Sequence, residues 1–159
     1  MALIKLNNSN LCAIVDDSDF SMVAGHTWSL HTKGYAYRFS RGKAILMHRL
    51  ILGIVDSVDL VSDHINHNRL DNRRSNLRSC NRSENQRNVR PRGRSKYLGV
   101  TINKYHRKDG IVTRHFKARI KTPEKIIYLG CFRTEIEAAR AYDRAARLHH
   151  GEFANLNFK

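Results

Sequence analysis

The run from Asp63 to Arg94, DHINHNRLDNRRSNLRSCNRSENQRNVRPRGR, constrains this chain more than any other feature. It is dominated by asparagine and arginine and has very few apolar side chains, so it cannot bury a core of its own. Yet it is patterned rather than repetitive. Polar groups at this density must be satisfied by one another, by a metal ion or by a ligand. The apolar material that holds such a segment must come from its flanks.

Upstream, Leu11 to Val15, Tyr35 to Arg38 and Ala44 to Met47 are short apolar runs between Asn-, Asp- and Gly-containing turns, and they predict strands. The acidic knot Asp16-Asp17-Ser18-Asp19 lacks the alternate-residue spacing and glycine of a calcium loop and is expected to be a turn leading into a short helix. Downstream, Tyr97 to Asn103, His115 to Lys121 and Lys125 to Phe132 predict three strands. In the second, Phe116, Ala118 and Ile120 alternate with Lys117, Arg119 and Lys121, giving one buried and one open face. Thr134-Glu135-Ile136-Glu137 is a capping box that starts a helix. That helix sets Ala138, Ala141, Ala145 and Leu148 on one stripe with Tyr142 beside it, and Arg140, Arg144 and Arg147 on a solvated outer side. Gly151 stops it. The expected class is α+β, ending in a three-stranded antiparallel sheet backed by one helix.

A formal charge of +15 over 159 residues narrows the partner class to a polyanion. Double-stranded DNA is the expected partner, because no segment has the length or pattern of a membrane span or amphipathic anchor. Cys12, Cys80 and Cys131 lie far apart and form no C-x-x-C pair, which excludes a cysteine zinc site and a disulfide framework. With no apolar leader at the N-terminus, an intracellular setting is expected, the cytoplasm of a bacterial or phage-infected host.

The chemistry gathers at Asp63-His64, Asn76-Leu77-Arg78 and Asn85. Hydrolysing a phosphodiester needs a cation on the scissile phosphate and a base for water. Magnesium prefers oxygen ligands and keeps several waters, so one carboxylate and one amide oxygen suffice, and Asp63 and Asn85 could supply them. Adjacent strand residues point to opposite faces, so Asp63 could ligate while His64 addresses the attacking water. Histidine has the unperturbed pKa for a base near neutrality.

Asp63-His64, Asp71-Asn72, Asn76-Leu77-Arg78 and an asparagine nine residues further on, Asn85, together resemble the HNH nuclease superfamily in its phage and intron homing branch. That resemblance implies a ribbon-and-helix (ββα-metal) core gripping one ion, Mg2+ with Mn2+ able to substitute. It implies Asp63 and Asn85 as ligands and His64 as general base. It also makes Asn76 the asparagine that stitches the loop and orients the histidine. Asn88 rivals Asn85, since the two could share a helix face. His67 is expected in a solvent-exposed turn, and His48, in Met47-His48-Arg49, as a packed or phosphate-contacting histidine.

Tyr97-Leu98-Gly99-Val100, Phe116 to Ile120, Tyr128-Leu129-Gly130, Glu137 to Ala146 and Leu156-Asn157-Phe158 resemble the Apetala-two type DNA-binding domain of plant ethylene-response factors. The resemblance implies a three-stranded sheet lying in the major groove. Its base-reading residues differ here: Leu98, Thr101 and Asn103 stand where plant members carry arginines, Arg119 replaces a glutamate and Tyr128 a tryptophan. The docking mode therefore transfers and the plant recognition sequence does not. Strand alternation nominates Thr101, Asn103, Lys117, Arg119, Lys121 and Tyr128 as contacts, with base readout by Arg119 and Asn103 and phosphate contact by the lysines.

Gln86 to Lys96, with Arg87, Arg90, Arg92 and Arg94, is expected to be a basic, solvated connector that can track phosphates. The predicted organisation is a strand-rich part with a nuclease core over 1–90, a linker at 91–96 and a reading domain over 97–159. This order resembles the homing endonucleases of phages and mobile introns, which implies a site-specific endonuclease; one centre per chain suits nicking by a monomer, and cutting both strands would need a dimer or two successive events. The alternative is a non-cleaving, sequence-specific DNA-binding regulator, against which Asp63, His64 and Asn85 argue. RNA binding is disfavoured because few aromatics interrupt the basic runs.

Overall fold

Hydrophobic alternation and turn chemistry at the N-terminus produce a hairpin, β1 (Ala2–Lys5) against β2 (Cys12–Val15). The computed structural model describes residues 1–91, 93–106 and 110–158. Within these residues the fold is mixed α and β, with four small sheets. Two compact units form, Met1–Asn85 and Gln86–Lys159, so the division falls ahead of the linker expected at 91–96. The reason is local. Val89 packs among the apolar side chains of the second unit, and its carbonyl accepts from Asn155 Nδ2 at 2.7 Å.

In the first unit, helix α1 (Asp17–Ala24) follows the acidic knot. Arg74 satisfies that knot, pairing with Asp19 at 2.7 Å and donating its backbone N–H to Asp16 at 2.8 Å. Strands β3 (Ser29–Leu30), β4 (Ala36–Ser40) and β5 (Lys43–Leu46) form an antiparallel sheet in that order. Met47 leaves the strand predicted to contain it and opens α2 (Met47–Ile51), where its side chain joins the core. Trp28, Leu6, Val15, Val23, Ala36 and Ile51 complete that core, and the Trp28 indole N–H donates to the Val23 carbonyl at 2.8 Å. A second hairpin, β6 (Val61–His64) with β7 (Leu77–Cys80), is followed by the short helix α3 (Arg82–Asn85). The polar run thus borrows its core from upstream, Leu77 being its chief contribution.

The second unit holds β8 (Val100–His106), β9 (Val112–Lys121) and β10 (Ile126–Phe132), with β9 central, and helix α4 (Glu135–His150) packed on them. The first strand was expected from Tyr97 but starts at Val100. Gly99 takes φ +70° there, and an added Cβ would stand 2.0 Å from the Tyr142 ring. The Thr134–Glu137 capping box is formed in both directions. Ala138, Ala141, Ala145 and Tyr142 are buried, but Leu148 is 79 % exposed and leaves the expected stripe. Gly151 does cap the helix, with a positive φ of 54° that favours glycine. The chain end is clipped down by Asp143, whose carboxylate accepts from the backbone N–H groups of Asn157 (2.8 Å) and Phe158 (2.9 Å).

Candidate functional site

Pairing of β6 with β7 sets Asp63 opposite Arg78 and His64 opposite Leu77. Both Asp63 and His64 are buried, at 7 % and 6 % exposure, although they occupy successive strand positions. Arg78 donates to Asp63 Oδ2 from Nε at 2.9 Å and from Nη2 at 2.7 Å. A buried carboxylate without such a partner would carry a large desolvation penalty.

His64 sits in a ring of aromatic and amide groups. His48 lies edge-on to it with ring centroids 4.9 Å apart, and Tyr35 packs against both rings at 4.9 and 5.8 Å. Arg69 covers the Tyr35 ring at 4.8 Å. His48 is buried as a packed histidine, with its Nδ1 lacking a hydrogen bond. Burial lowers its pKa to about 3, with the neighbouring His64 and Arg49 adding to the effect. Burial also lowers His64, opposed by its bond to Asn72 and the charges of Asp63 and Asp71. Both imidazoles are therefore neutral at neutral pH.

One hydrogen bond to the His64 ring comes from a residue the sequence did not single out for it. Asn72, fully buried, sets Oδ1 3.3 Å from His64 Nε2. Its amide nitrogen donates to the Leu70 carbonyl at 3.2 Å and faces Met47 Sδ at 3.5 Å, which fixes which way the amide points. An acceptor oxygen facing Nε2 requires that nitrogen to carry the proton, leaving the lone pair on Nδ1. Asn76 ties the loop: Oδ1 accepts from Asn66 N–H at 2.9 Å and Nδ2 donates to the Asp71 carbonyl at 2.7 Å. His67 occupies the turn between, with φ 62°.

Asn85 ends α3, which lies against β6, the strand that carries Asp63. Asn81 and Glu84 start that helix by reciprocal side-chain bonds to each other's backbone N–H, both 2.8 Å. Asn88 falls in the second unit. Arg49 organises the loop before β6, its guanidinium donating to the carbonyls of Ile54 (2.6 Å) and Ser57 (2.7 Å). The sequence signals for Tyr35, Asn72 and Arg49 were faint, because each acts through a partner distant in the chain or through a loop whose course only folding sets.

The sheet nominated for reading has Arg119 paired with Tyr128 and Thr101 paired with Lys117, which puts these four on one face. Thr101, Arg119, Lys121 and Tyr128 are exposed, whereas Asn103 and Lys117 are half-buried. Arg90 and Arg94 are exposed; Arg92 lies outside the described residues.

A family model for HNH endonucleases matches residues 46–87, the stretch from the end of β5 to just past α3. An uncharacterised HNH endonuclease of Acanthamoeba polyphaga mimivirus is 30% identical over 150 residues, 91% of this chain and 74% of that protein. Two rice proteins, the APETALA2-like protein 2 of the indica and japonica subspecies of Oryza sativa, are each 47% identical over 70 residues. The match covers 43% of this chain and 14% of each rice protein's length.

Proposed function

The chain belongs to the HNH endonuclease family, and we propose that it is a homing-type, site-specific DNA endonuclease that uses one divalent cation and His64 as its base. The observation that carries this reading is the Asp63–His64 pair. Two successive buried residues offer a carboxylate and a neutral imidazole, with the imidazole tied at Nε2 and Asn85's helix alongside.

The donor set suits a hard cation. One carboxylate and one amide oxygen leave most positions to water, as magnesium favours, with manganese able to substitute. Among the described residues no three His, Cys, Asp or Glu side chains converge on one point as a zinc cage would need. Asp63 and Asn85 would hold the ion, which when bound neutralises charge developing on the scissile phosphate and leaving oxygen. His64 takes the proton from the attacking water at Nδ1. As the ring gains charge, its Nε2–H bond to Asn72 Oδ1 strengthens, because charge-assisted bonds are the stronger kind. Asp63 beside it adds electrostatic support for the imidazolium. Asn76 keeps the loop closed so that these groups hold their spacing.

The second unit would select the site. The likeness to the rice proteins and the open, cationic face of β8, β9 and β10 support an Apetala-two type reader lying in the major groove. Arg90, Arg92 and Arg94 would contact phosphates nearby. One centre per chain suits a monomer that nicks one strand.

Supercoiled plasmid incubated with magnesium or manganese tests the reading. Open circles should accumulate, stop with chelator, and fail to form with His64→Ala while that variant binds DNA within a few-fold of the parent. Cleavage persisting in excess chelator or in His64→Ala would refute it. Tight, site-selective binding with no cleavage in either metal would leave the non-cleaving regulator.

A further inference from the structure

Strand β4 carries a feature that the nuclease reading does not use. Tyr35, just before the strand, and Tyr37 and Phe39 within it recur at every second residue, so they share one face of the sheet. Ala36 and Arg38 take the other face: Ala36 is fully buried and the Arg38 guanidinium lies 5.9 Å from the Trp28 ring centre. The outer row begins at the candidate site, where Tyr35 packs on His64 at 5.8 Å. It continues through Tyr37, which His31 meets edge-on at 5.3 Å. It ends at Phe39, 70 % exposed and paired with the exposed Ala44.

The hairpin turn next to Phe39 is Arg41-Gly42, both with positive φ (49° and 75°), a tight two-residue connection that projects its tip. Arg41 and Lys43 flank the tip and are exposed. No carboxylate occurs between Asp19 and Asp56, a stretch that contains Lys33, Arg38, Arg41, Lys43 and Arg49. An exposed ring beside exposed Arg41 and Lys43, neither of them ion-paired among the described residues, is too narrow for a protein interface and suits a polyanion with flat apolar groups between its charges. Duplex DNA has that composition, and apolar side chains that enter its minor groove wedge between base steps while cations hold the phosphates.

We propose that the outer face of β4 and the β4–β5 turn form a second DNA contact, continuous with the candidate site, in which Phe39 wedges at a base step and Arg41 and Lys43 grip the adjoining phosphates. This rests on the reading of the chain as a DNA-cutting enzyme. Four residue steps of ~3.3 Å put Phe39 about 13 Å from Tyr35 along the strand. At ~3.4 Å per base pair, that distance spans at most about four base pairs of duplex. The wedge would distort the duplex beside the cut, whatever sequence the second unit reads.

The full chain carrying Phe39→Trp tests this directly, because the native protein has one tryptophan, Trp28, and it is 1 % exposed. A labelled 40-base-pair mixed-sequence duplex is the probe, with saturation followed by anisotropy. Emission of the variant should fall about twofold on saturation as the indole stacks on bases, while the parent changes little. Arg41→Ala/Lys43→Ala should lower the log–log salt slope of binding by about 1.8, two phosphate contacts' worth. Unchanged emission at saturation, or an unchanged slope, overturns the proposal. Plasmid nicking by the parent, scored in parallel, separates the two readings. Quenching without nicking keeps the wedge and removes the nuclease, whereas nicking without quenching does the reverse. A chain that binds no duplex removes both.

Discussion

His64 can serve as a base only while its ring is neutral, and burial makes the neutral form the favoured one. The acid limb of kcat/KM is therefore expected below pH 6.5, the ordinary histidine value, since kcat/KM reports the free enzyme. Asn72→Asp would set a carboxylate against Nε2, favour the imidazolium and move that limb to higher pH. A limb that stays in place in Asn72→Asp would show that Asn72 does not hold the ring. Asp63 needs a more careful substitution than alanine. Its carboxylate is the partner of Arg78, which is only 15 % exposed, so Asp63→Ala leaves a nearly buried guanidinium uncompensated. Losing one member of such a pair costs on the order of 3 kcal/mol. Asp63→Asn keeps an acceptor for Arg78 while weakening the cation site. It should melt within a few degrees of the parent yet need far more magnesium for nicking. Parent-like magnesium dependence in Asp63→Asn would remove Asp63 from the metal site.

Among the elements, β8 depends on one backbone position. Gly99 has φ +70°, and a Cβ there would meet the Tyr142 ring at 2.0 Å and the Arg119 carbonyl at 2.6 Å. Gly110 has a similar φ of +79° with nothing within 4 Å. Alanine at 110 should cost about 1 kcal/mol, the left-handed strain alone. Alanine at 99 adds a clash with a buried ring and should cost well over ~2 kcal/mol, with loss of amide protection along β8. Equal melting temperatures for the two variants would contradict this packing. On the open face of the same sheet, Arg119→Ala and Lys121→Ala should differ in kind. The first relaxes preference at one base pair by roughly 1–3 kcal/mol if its contact is bidentate. The second weakens binding evenly across sequences and lowers the salt slope by about 1. Footprinting on a selected site distinguishes these outcomes.

For the whole molecule, buried histidines set the acid side of stability. His48 in the fold titrates at about 3, against 6.5 for an ordinary histidine, because burial disfavours its charged form. Between these values the unfolded chain binds a proton that the folded chain does not. Stability is thus full above pH 6.5 and falls as the pH drops toward the folded value, with a slope approaching about 1.4 kcal/mol per pH unit. His150, also lowered by burial, acts in the same direction in the second unit. Urea titrations of the full chain should show the first unit losing stability between pH 6 and pH 4. His48→Phe, which keeps a ring in the pocket, should flatten that loss. An unaltered pH dependence in His48→Phe would place the acid sensitivity elsewhere.

Much of the site was legible because its parts are close in the chain. Asp63, His64 and Asn76 lie on one hairpin and Asn85 on the short helix after it, so spacing alone sets them on neighbouring elements. The alternation of β9 and the capping box of α4 were legible for the same reason, being properties of a few consecutive residues. Local patterning could not say where a run would stop. Met47 turned from strand to helix because the core took its side chain, and β8 began late because Gly99 must pass under Tyr142. Nor could it say that Tyr35 and His48 would enclose His64, or that Asn72 would hold the imidazole while Asn76 tied the loop. Those contacts join segments separated by loops, and which of two nearby amides reaches a ring depends on backbone paths that only the packed fold fixes. The polar run from Asp63 carries the family pattern by itself; the upstream core decided which of its side chains were buried.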